Sequence, residues 1–540
     1  MIRLAELSLP LDSDTRALRG AIAARLQISD ADLLDFKVFK RSYDARKKNS
    51  GISFVYIIDL VARDESAILR RLAGDPNVRP APDVTYHPVG RAPPNLGERP
   101  VIVGFGPCGL FAGLLLAQMG FKPIVLERGR DVRSRTVDTW ALWRQKTLTP
   151  ESNVQFGEGG AGLFSDGKLY SQIKDPKFYG RKVIEEFVRA GAPAEIMYVS
   201  KPHIGTFRLT GVVSRMRAEI IALGGEVRFQ SRVADLLLED GAVNGVVLAS
   251  GDTIRSHHVV LALGHSSRDT FRMLERRGVF IEAKPFSVGF RIEHPQSLID
   301  RARLGKYAGH PELGAADYKL VHHATNGRAV YSFCMCPGGT VVAATSEPHR
   351  VVTNGMSQYS RKERNANAGI VVGISPDHDF PGGPLAGMEL QERLESRAYE
   401  LGGGDYCAPG QLVGDFIRGR PSSKLGEIEP SYKPGVRLAD LTTSLPDYAI
   451  EAIREALPAF GRQIRGFDRD DAVLTGVETR TSSPVRIARN HETLQSLNAR
   501  GLYPAGEGAG YAGGILSAGV DGIRVAEAVA KSVLSRATND

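Results

Sequence analysis

The stretch RPVIVGFGPCGLFAGLLLAQMGFKPIVLE, residues 99–127, constrains this chain more than any other. VIV is a β-branched apolar run of the kind buried strands use, and GLFAGLLLAQMG has the composition and length of a buried helix. Between them Gly104, Gly106 and Gly109 make the pattern G-x-G-x-x-G. Gly104 suits the tight turn, Gly106 lets backbone amides approach a pyrophosphate, and Gly109 lets helix and strand pack closely. Gly106–Pro107 then opens the helix, whose free N–H groups and partial positive charge face an anion. FKPIVLE reads as a second strand ending in Glu127, 18 residues after Gly109. A carboxylate there accepts hydrogen bonds from ribose hydroxyls and repels a 2′-phosphate. Strand, glycines, helix, strand and acid in this order predict a dinucleotide site that serves NAD and FAD equally.

A second glycine cluster favours FAD. YPAGEGAGYAGGILSAGVDG, residues 503–522, holds seven glycines in twenty residues, about 400 residues further on. LYPA reads as a short strand running into a polar turn at Gly506–Glu507, and SAGVDGIRVAEAVAKSVL as a helix after it. That is another strand–turn–helix corner able to bind hydroxyls or an anion. FAD is long enough to reach from one corner to the other, so the chain between them reads as an insertion between two halves of one domain.

The rest of the chain sets bounds. At 540 residues it exceeds one simple core. With 42% hydrophobic and 24% charged residues it is globular rather than disordered. A net charge of +8 suits anionic ligands without implying nucleic acid. The start, MIRLAELSLPLDSDTR, lacks a signal-peptide pattern, and the apolar runs are too short to span a bilayer, so the expectation is a cytoplasmic protein with no membrane partner. Four cysteines are too few and too unevenly spaced for a disulfide scaffold. Residues 1–75 read as a small α/β unit: strand RLAELSL, a helix capped by Asp12, Ser13 or Asp14, two strands around DARKKNSG, and a short helix. Residues 76–99 are a Pro-rich linker. Lys37, Lys40, Arg41, Arg46, Lys47 and Lys48, with Tyr43 to stack, could grip a phosphate backbone; a charge run on a hairpin is more simply a solvated edge that discourages strand pairing.

The pattern as a whole resembles the two-dinucleotide-binding-motif flavoproteins. More narrowly, residues 96–540 resemble a bacterial group of uncharacterised FAD-dependent dehydrogenases, related to the fumarate reductase, aspartate oxidase and HI0933-like branch. The stretches that carry this are VGFGPCGLFAGLLLAQMG, GEGGAGLFSDGKL, VVLALGHSSRDT, PFSVGFRIEHPQ, YSFCMCPGGTVVAATSE, TNGMSQYSRKERNANAGIVV, TGVETRTSSPVRI and GLYPAGEGAGYAGGILSAGVDG. The resemblance implies non-covalent FAD. Gly104, Gly106, Pro107, Gly109 and Glu127 would hold its AMP half, with Arg128 and Gly129 edging the adenine and Val233 touching it through the backbone. Gly264 ends a strand running past the cofactor. Gly159, Gly160, Ser165 and Lys168 would lie near the isoalloxazine, and Gly506, Glu507, Gly513, Gly514 and Ile515 at the ribityl and pyrimidine end. Many relatives carry Asp where this chain has Glu507.

The expected fold is α/β: a discontinuous Rossmann-like FAD-binding domain (residues 100–285 and 471–540), an inserted α+β substrate domain (286–470) and the small N-terminal α/β domain. After residue 130 no second strand leads directly into such a fingerprint, and the cysteines give no C-x-x-x-x-C pair. Electrons would therefore come from a transient NAD(P)H, a protein partner or the substrate. For catalysis the candidates are Arg291 and His294 of GFRIEHP, beside Glu293, and Glu478 and Arg480 of GVETRTSSP. An arginine facing a flavin binds an anionic substrate or steadies reduced flavin, and a nearby acid or histidine shuttles the proton; ordinary ion pairing is the alternative. Cys334-Met-Cys336 could be a redox pair or soft-metal ligands, but reads more simply as two small strand residues. Cys108 is a small residue in the phosphate loop, and His322–His323 lacks a third metal ligand. Asn354, Asn365 and Asn367 suit polar pocket loops. The expected activity is hydride transfer between flavin N5 and a small organic substrate, anionic or neutral. The alternative is an RNA-modifying flavoprotein that uses the basic N-terminal unit.

Overall fold

Five short strands form an all-parallel sheet in the order Leu502–Pro504, Val259–Leu261, Val101–Val103, Ile124–Leu126, Glu226–Arg228. The computed structural model describes residues 1–45 and 51–537. Strand alternation sends Ile102, Val125, Val260 and Tyr503 to one face of the sheet and Val101, Val103, Ile124, Leu126, Val259 and Leu261 to the other. The first face is covered by helices Pro107–Gln118, Tyr179–Arg189, Thr206–Ala222 and Ile515–Ala537. The second carries a three-stranded antiparallel meander, Val233–Glu239, Ala242–Leu248 and Thr253–Arg255. Apolar residues on both faces of the sheet explain why its strands read as continuous runs rather than alternating ones. The last strand and last helix complete a sheet begun about 400 residues earlier, so the nucleotide-binding domain is discontinuous and α/β.

The insertion is built on a seven-stranded mixed sheet in the order Val321–His323, Ala329–Cys336, Asn365–Ile374, Phe286–Pro295, Val473–Glu478, Ala408–Leu412, Val436–Leu438. Val288, Phe290, Ile292, Ala366, Ala368 and Ile370 pack with Ile450, Ile453, Ala456 and Leu457 of helix Asp447–Gln463. A hairpin, Gly339–Ala343 with Thr353–Ser357, lies over the opposite face. Strand Val473–Glu478 belongs to this sheet, and Ser287 and Thr481 exchange two hydrogen bonds. The insertion therefore runs to about residue 481 rather than ending at 470. The chain re-enters the nucleotide domain through Val485–Ile487, paired with Ile281–Ala283.

The N-terminal unit is a four-stranded sheet, Leu33–Asp44, Ser53–Ala62, Ile2–Pro10 and Val78–Pro80, with two helices. Among the three candidate caps for helix Thr15–Leu26, Asp14 accepts from Ala17 N at 2.8 Å. The unit extends to Pro80, beyond the expected limit of 75, because Val78–Pro80 pairs with Ile2–Leu4. Of the basic turn, Arg46, Lys47 and Lys48 lie outside the described residues. Arg41 is committed internally: its backbone exchanges hydrogen bonds with Tyr198 and Ser200, and its guanidinium lies 3.1 Å from Glu312. No helix of the described residues is long and apolar enough to cross a membrane.

Candidate active site

Gly104, Glu127, Gly264 and Gly506 all follow the C-terminal ends of parallel strands, where open α/β sheets bind their ligands. Gly104 has φ of +100°, and a Cβ on Gly109 would lie 1.9 Å from the Gly104 carbonyl oxygen, so only glycine allows the helix to start this close to the strand. Gly106 caps helix Pro107–Gln118, with Pro107 at its first position. The loop bearing Gly159 and Gly160 lies directly on the phosphate turn: Gly159 N donates to Phe105 O at 2.9 Å, and Gly160 touches Gly106. The buried Glu127 carboxylate accepts from the amides of Phe105, Gly129 and Gly157 at 2.8–2.9 Å, tying three loops of the site together. Arg128 lies over the Phe156 ring and pairs with Glu151 and Asp269. Beside it is a cavity of about 210 Å³ lined by Arg232, Val233, Ala234, Asp269, Thr270 and Arg272.

The other end of the site is open. Side chains placed on Gly264, Gly513 or Gly514 would meet nothing within 4 Å, and all three glycines are exposed. Gly513 N donates to Ser517 Oγ and Ser517 Oγ to Gly514 O, each at 3.1 Å, so the loop entering at Ile515 is held in shape. Among the described residues nothing hydrogen-bonds the Glu507 carboxyl. Burial raises its pKa to about 7, against the pull of Lys284. Lys168 donates to Met335 O on the insertion. Burial opposes its charge, yet the sulfurs of Cys334 and Cys336 and the Asp166 carboxylate hold its pKa above the ordinary lysine value. The Ser165 hydroxyl is spent within its own turn, donating to Gly162 O and accepting from Gly167 N.

The four catalytic candidates fall in three places. Arg291 donates to both carboxylate oxygens of Glu478 at 2.8 and 2.7 Å, and both side chains are buried. Arg480 makes the same bidentate contact with Glu395, at 3.0 and 2.8 Å, and donates to Ser266 and Ser346. Ser266 follows Gly264, so this pair braces the nucleotide domain against the insertion. His294 does not join them. It is an odd number of residues from Arg291 on one strand, so it points through the sheet's other face, where Nε2 donates to Phe467 O at 2.6 Å. Burial lowers its pKa to about 4 and keeps it neutral. The expectation that it shuttles protons at the site is corrected by that placement.

Two organising arginines escaped the sequence reading. Arg489 forms a buried bidentate pair with Asp521 at 2.9 and 2.6 Å and donates to Pro504 O, while Asp521 accepts from Gly506 N at 2.8 Å. Together they fix the corner that presents Glu507; the acid of "VDG" in the late glycine cluster was the available signal. Arg135, fully buried, donates to the carbonyls of Asn153, Val154, Gly157 and Glu158 and so shapes the loop before Gly159. Nothing local in VRSRTVDTW announces it.

Residues 285–481 match a family described as FAD-dependent protein, C-terminal domain-like, and residues 1–61 match a domain of unknown function. A protein of Clostridium beijerinckii described as uncharacterized is 49% identical over 528 residues, covering 97% of this chain and 98% of its own. Among solved structures, a point mutant of the halogenase PltM in complex with FAD aligns with 81% of this chain and 70% of its own, at 12% identity and a TM-score of 0.39. Amadoriase I, the fructosyl amine:oxygen oxidoreductase of Aspergillus fumigatus, aligns with 82% and 88%, at 10% identity and a TM-score of 0.36.

Proposed function

We propose that the chain is an FAD-dependent oxidoreductase that moves a hydride between a small organic substrate and flavin N5, a reading that the match of residues 285–481 to a family described as FAD-dependent supports. The observation that carries this is the gathering of Gly104, Glu127, Gly264 and Gly506 after the C-terminal ends of four strands of one parallel sheet, with Glu507 next to Gly506. FAD, when bound, supplies the two-electron acceptor or donor. The amides at the start of helix Pro107–Gln118 would hold the pyrophosphate, Glu127 the ribose, and the cavity beside Val233 the adenine.

Every other role belongs to the chain's own side chains. Glu507 is poised near neutrality, so its carboxyl can give or take the proton that accompanies hydride transfer, with Lys284 steadying the ionised form. Lys168 is a fixed positive charge at the insertion's edge, suited to orienting an anionic substrate. Arg291–Glu478 and Arg480–Glu395 are buried ion pairs, so each arginine is already committed to a carboxylate of the chain rather than to the substrate's charge. The resemblance to the fumarate reductase and aspartate oxidase branch fits such an anion-orienting cation.

The test is the absorbance spectrum of the purified protein, followed by anaerobic titration with NADH and NADPH. Yellow protein bleached by one nucleotide makes it a reductase with that donor. Yellow protein bleached by neither moves the donor to the substrate or a protein partner. Colourless protein that FAD cannot reconstitute overturns the reading.

A further inference from the structure

Strand Ala329–Cys336 is irregular where it meets the site. Phe333 pairs with Gly369 and Cys336 with Asn367, so one extra residue is squeezed into the strand, and Cys334 takes φ of +43° to absorb it. In a regular strand two residues at this spacing point the same way but stand too far apart for easy bonding; a bulge shortens that separation. The Cys336 thiol donates to the Cys334 carbonyl oxygen at 3.3 Å, which turns its sulfur back toward Cys334. Two cations clamp the bulge from either side: Arg291 donates to Cys334 O at 2.9 Å and Lys168 to Met335 O. Across from Cys336, a Cβ on Gly355 would stand 2.9 Å from its sulfur, so the glycine leaves that sulfur only the room it occupies. Cys336 is buried while Cys334 is partly exposed, and Lys168, which holds the Met335 carbonyl, ends the loop whose Gly159 donates to Phe105 O on the phosphate turn.

We propose that Cys334 and Cys336 are a second redox centre, cycling between dithiol and disulfide against the FAD; this rests on the cofactor reading above. The two sulfurs are already differentiated. The neighbouring Cys336 side chain, then the charges of Lys168 and Arg291, hold the Cys334 thiol well below its usual range despite burial. The contact with Cys334 and burial hold Cys336 well above it. One thiolate beside one thiol is the protonation state that disulfide chemistry starts from. The Cys334 thiolate and the Cys336 thiol become a disulfide, the S–H bond breaks, and oxidised flavin takes the electron pair and the released proton. The reverse step returns them. The other cysteines offer no such pair: Cys108 is buried in the phosphate-loop helix, and Cys407 accepts a hydrogen bond from Lys146.

The test uses full-length, FAD-loaded protein treated with diamide, desalted, and divided. One half is denatured, alkylated and digested for peptide mass; the other is titrated anaerobically with dithionite. The expected result is a Cys334–Cys336 peptide without alkyl groups and two hydrogens lighter, and an uptake of four electrons per flavin. Cys336→Ser and Cys334→Ser should each take up two electrons and show one alkylated sulfur. Full alkylation of both sulfurs after diamide, or two-electron uptake by the wild type, overturns the proposal. Protein that retains no flavin overturns the cofactor reading, and with it the coupling, while the peptide mass still reports separately whether the sulfurs pair.

Discussion

Glu395 concentrates more charge on one buried carboxylate than any other residue near the site, and replacing it with glutamine gives a quantitative test of how the two domains are held. It is fully buried and accepts five hydrogen bonds: two each from Arg268 and Arg480, and one from Thr479 Oγ1 at 2.9 Å. Glutamine keeps the shape but turns one acceptor into an amide that faces guanidinium donors, and it leaves two buried arginines with only the partly exposed Glu347 between them. Breaking a buried pair from one side costs about 3–5 kcal/mol, because the other charge stays desolvated. At roughly 2–4 °C per kcal/mol for a domain of this size, the melting transition of the insertion should fall by about 10 °C. Trp143 donates to Ala343 O on the insertion's hairpin and gives a fluorescence probe for it. The double variant Glu395→Gln/Arg480→Gln should recover at least about 1 kcal/mol, since it removes one stranded charge. The sign with pH is fixed too. Burial opposes ionisation of Glu395, yet Arg268 and Arg480 hold its pKa far below the ordinary value of 4.5. Its contribution is therefore fully present above about pH 4.5 and declines as the pH falls, so wild type and variant should converge in acid. A loss under about 1 kcal/mol, or a double variant no better than the single one, refutes the view that the cluster is a coupled charge network.

Two further outcomes follow from the cofactor corner. Gly109→Ala sets a Cβ 1.9 Å from a backbone oxygen that cannot move aside, so purified protein should carry at most about a tenth of the wild-type flavin while its far-ultraviolet dichroism is retained; unchanged flavin content would remove the turn from the site. Burial raises the Glu507 pKa to about 7, so a cofactor hydroxyl donating to its ionised form should bind about tenfold more tightly at pH 8 than at pH 6. Over the same range the cofactor-free protein should lose stability as the pH rises from 4.5 through about 7, because the folded state then gives up protonation that the unfolded chain has already lost. Tryptophan quenching by FAD across pH reads the first, with Glu507→Gln expected to be flat.

What could be read from the sequence was what short stretches decide. The turn from Val103 to Gly109, the acid at Glu127 and the late corner at Gly506 each depend on neighbours within one strand–turn–helix, and the structure gathers them at one end of one sheet. The seven-stranded sheet was not legible, because strand Phe286–Pro295 takes one neighbour from residues 365–374 and the other from residues 473–478, and no local periodicity reports a partner that remote. The same distance hid the pairing of Arg291 with Glu478. Each had the chemistry of a site residue in isolation, and only the register reveals that they neutralise one another. His294 is different, since alternation along its own strand already separated it from Arg291. Cys334 shows the limit most clearly. A regular strand would make C-M-C two unremarkable small residues, and that was the simpler reading. The bulge changes the surroundings by changing the backbone: it turns the Cys336 thiol onto the Cys334 carbonyl and sets Arg291 and Lys168 on the carbonyls of Cys334 and Met335. The proposed redox pair thus depends on a departure from the ideal strand, which is the feature a pattern-based reading assumes away.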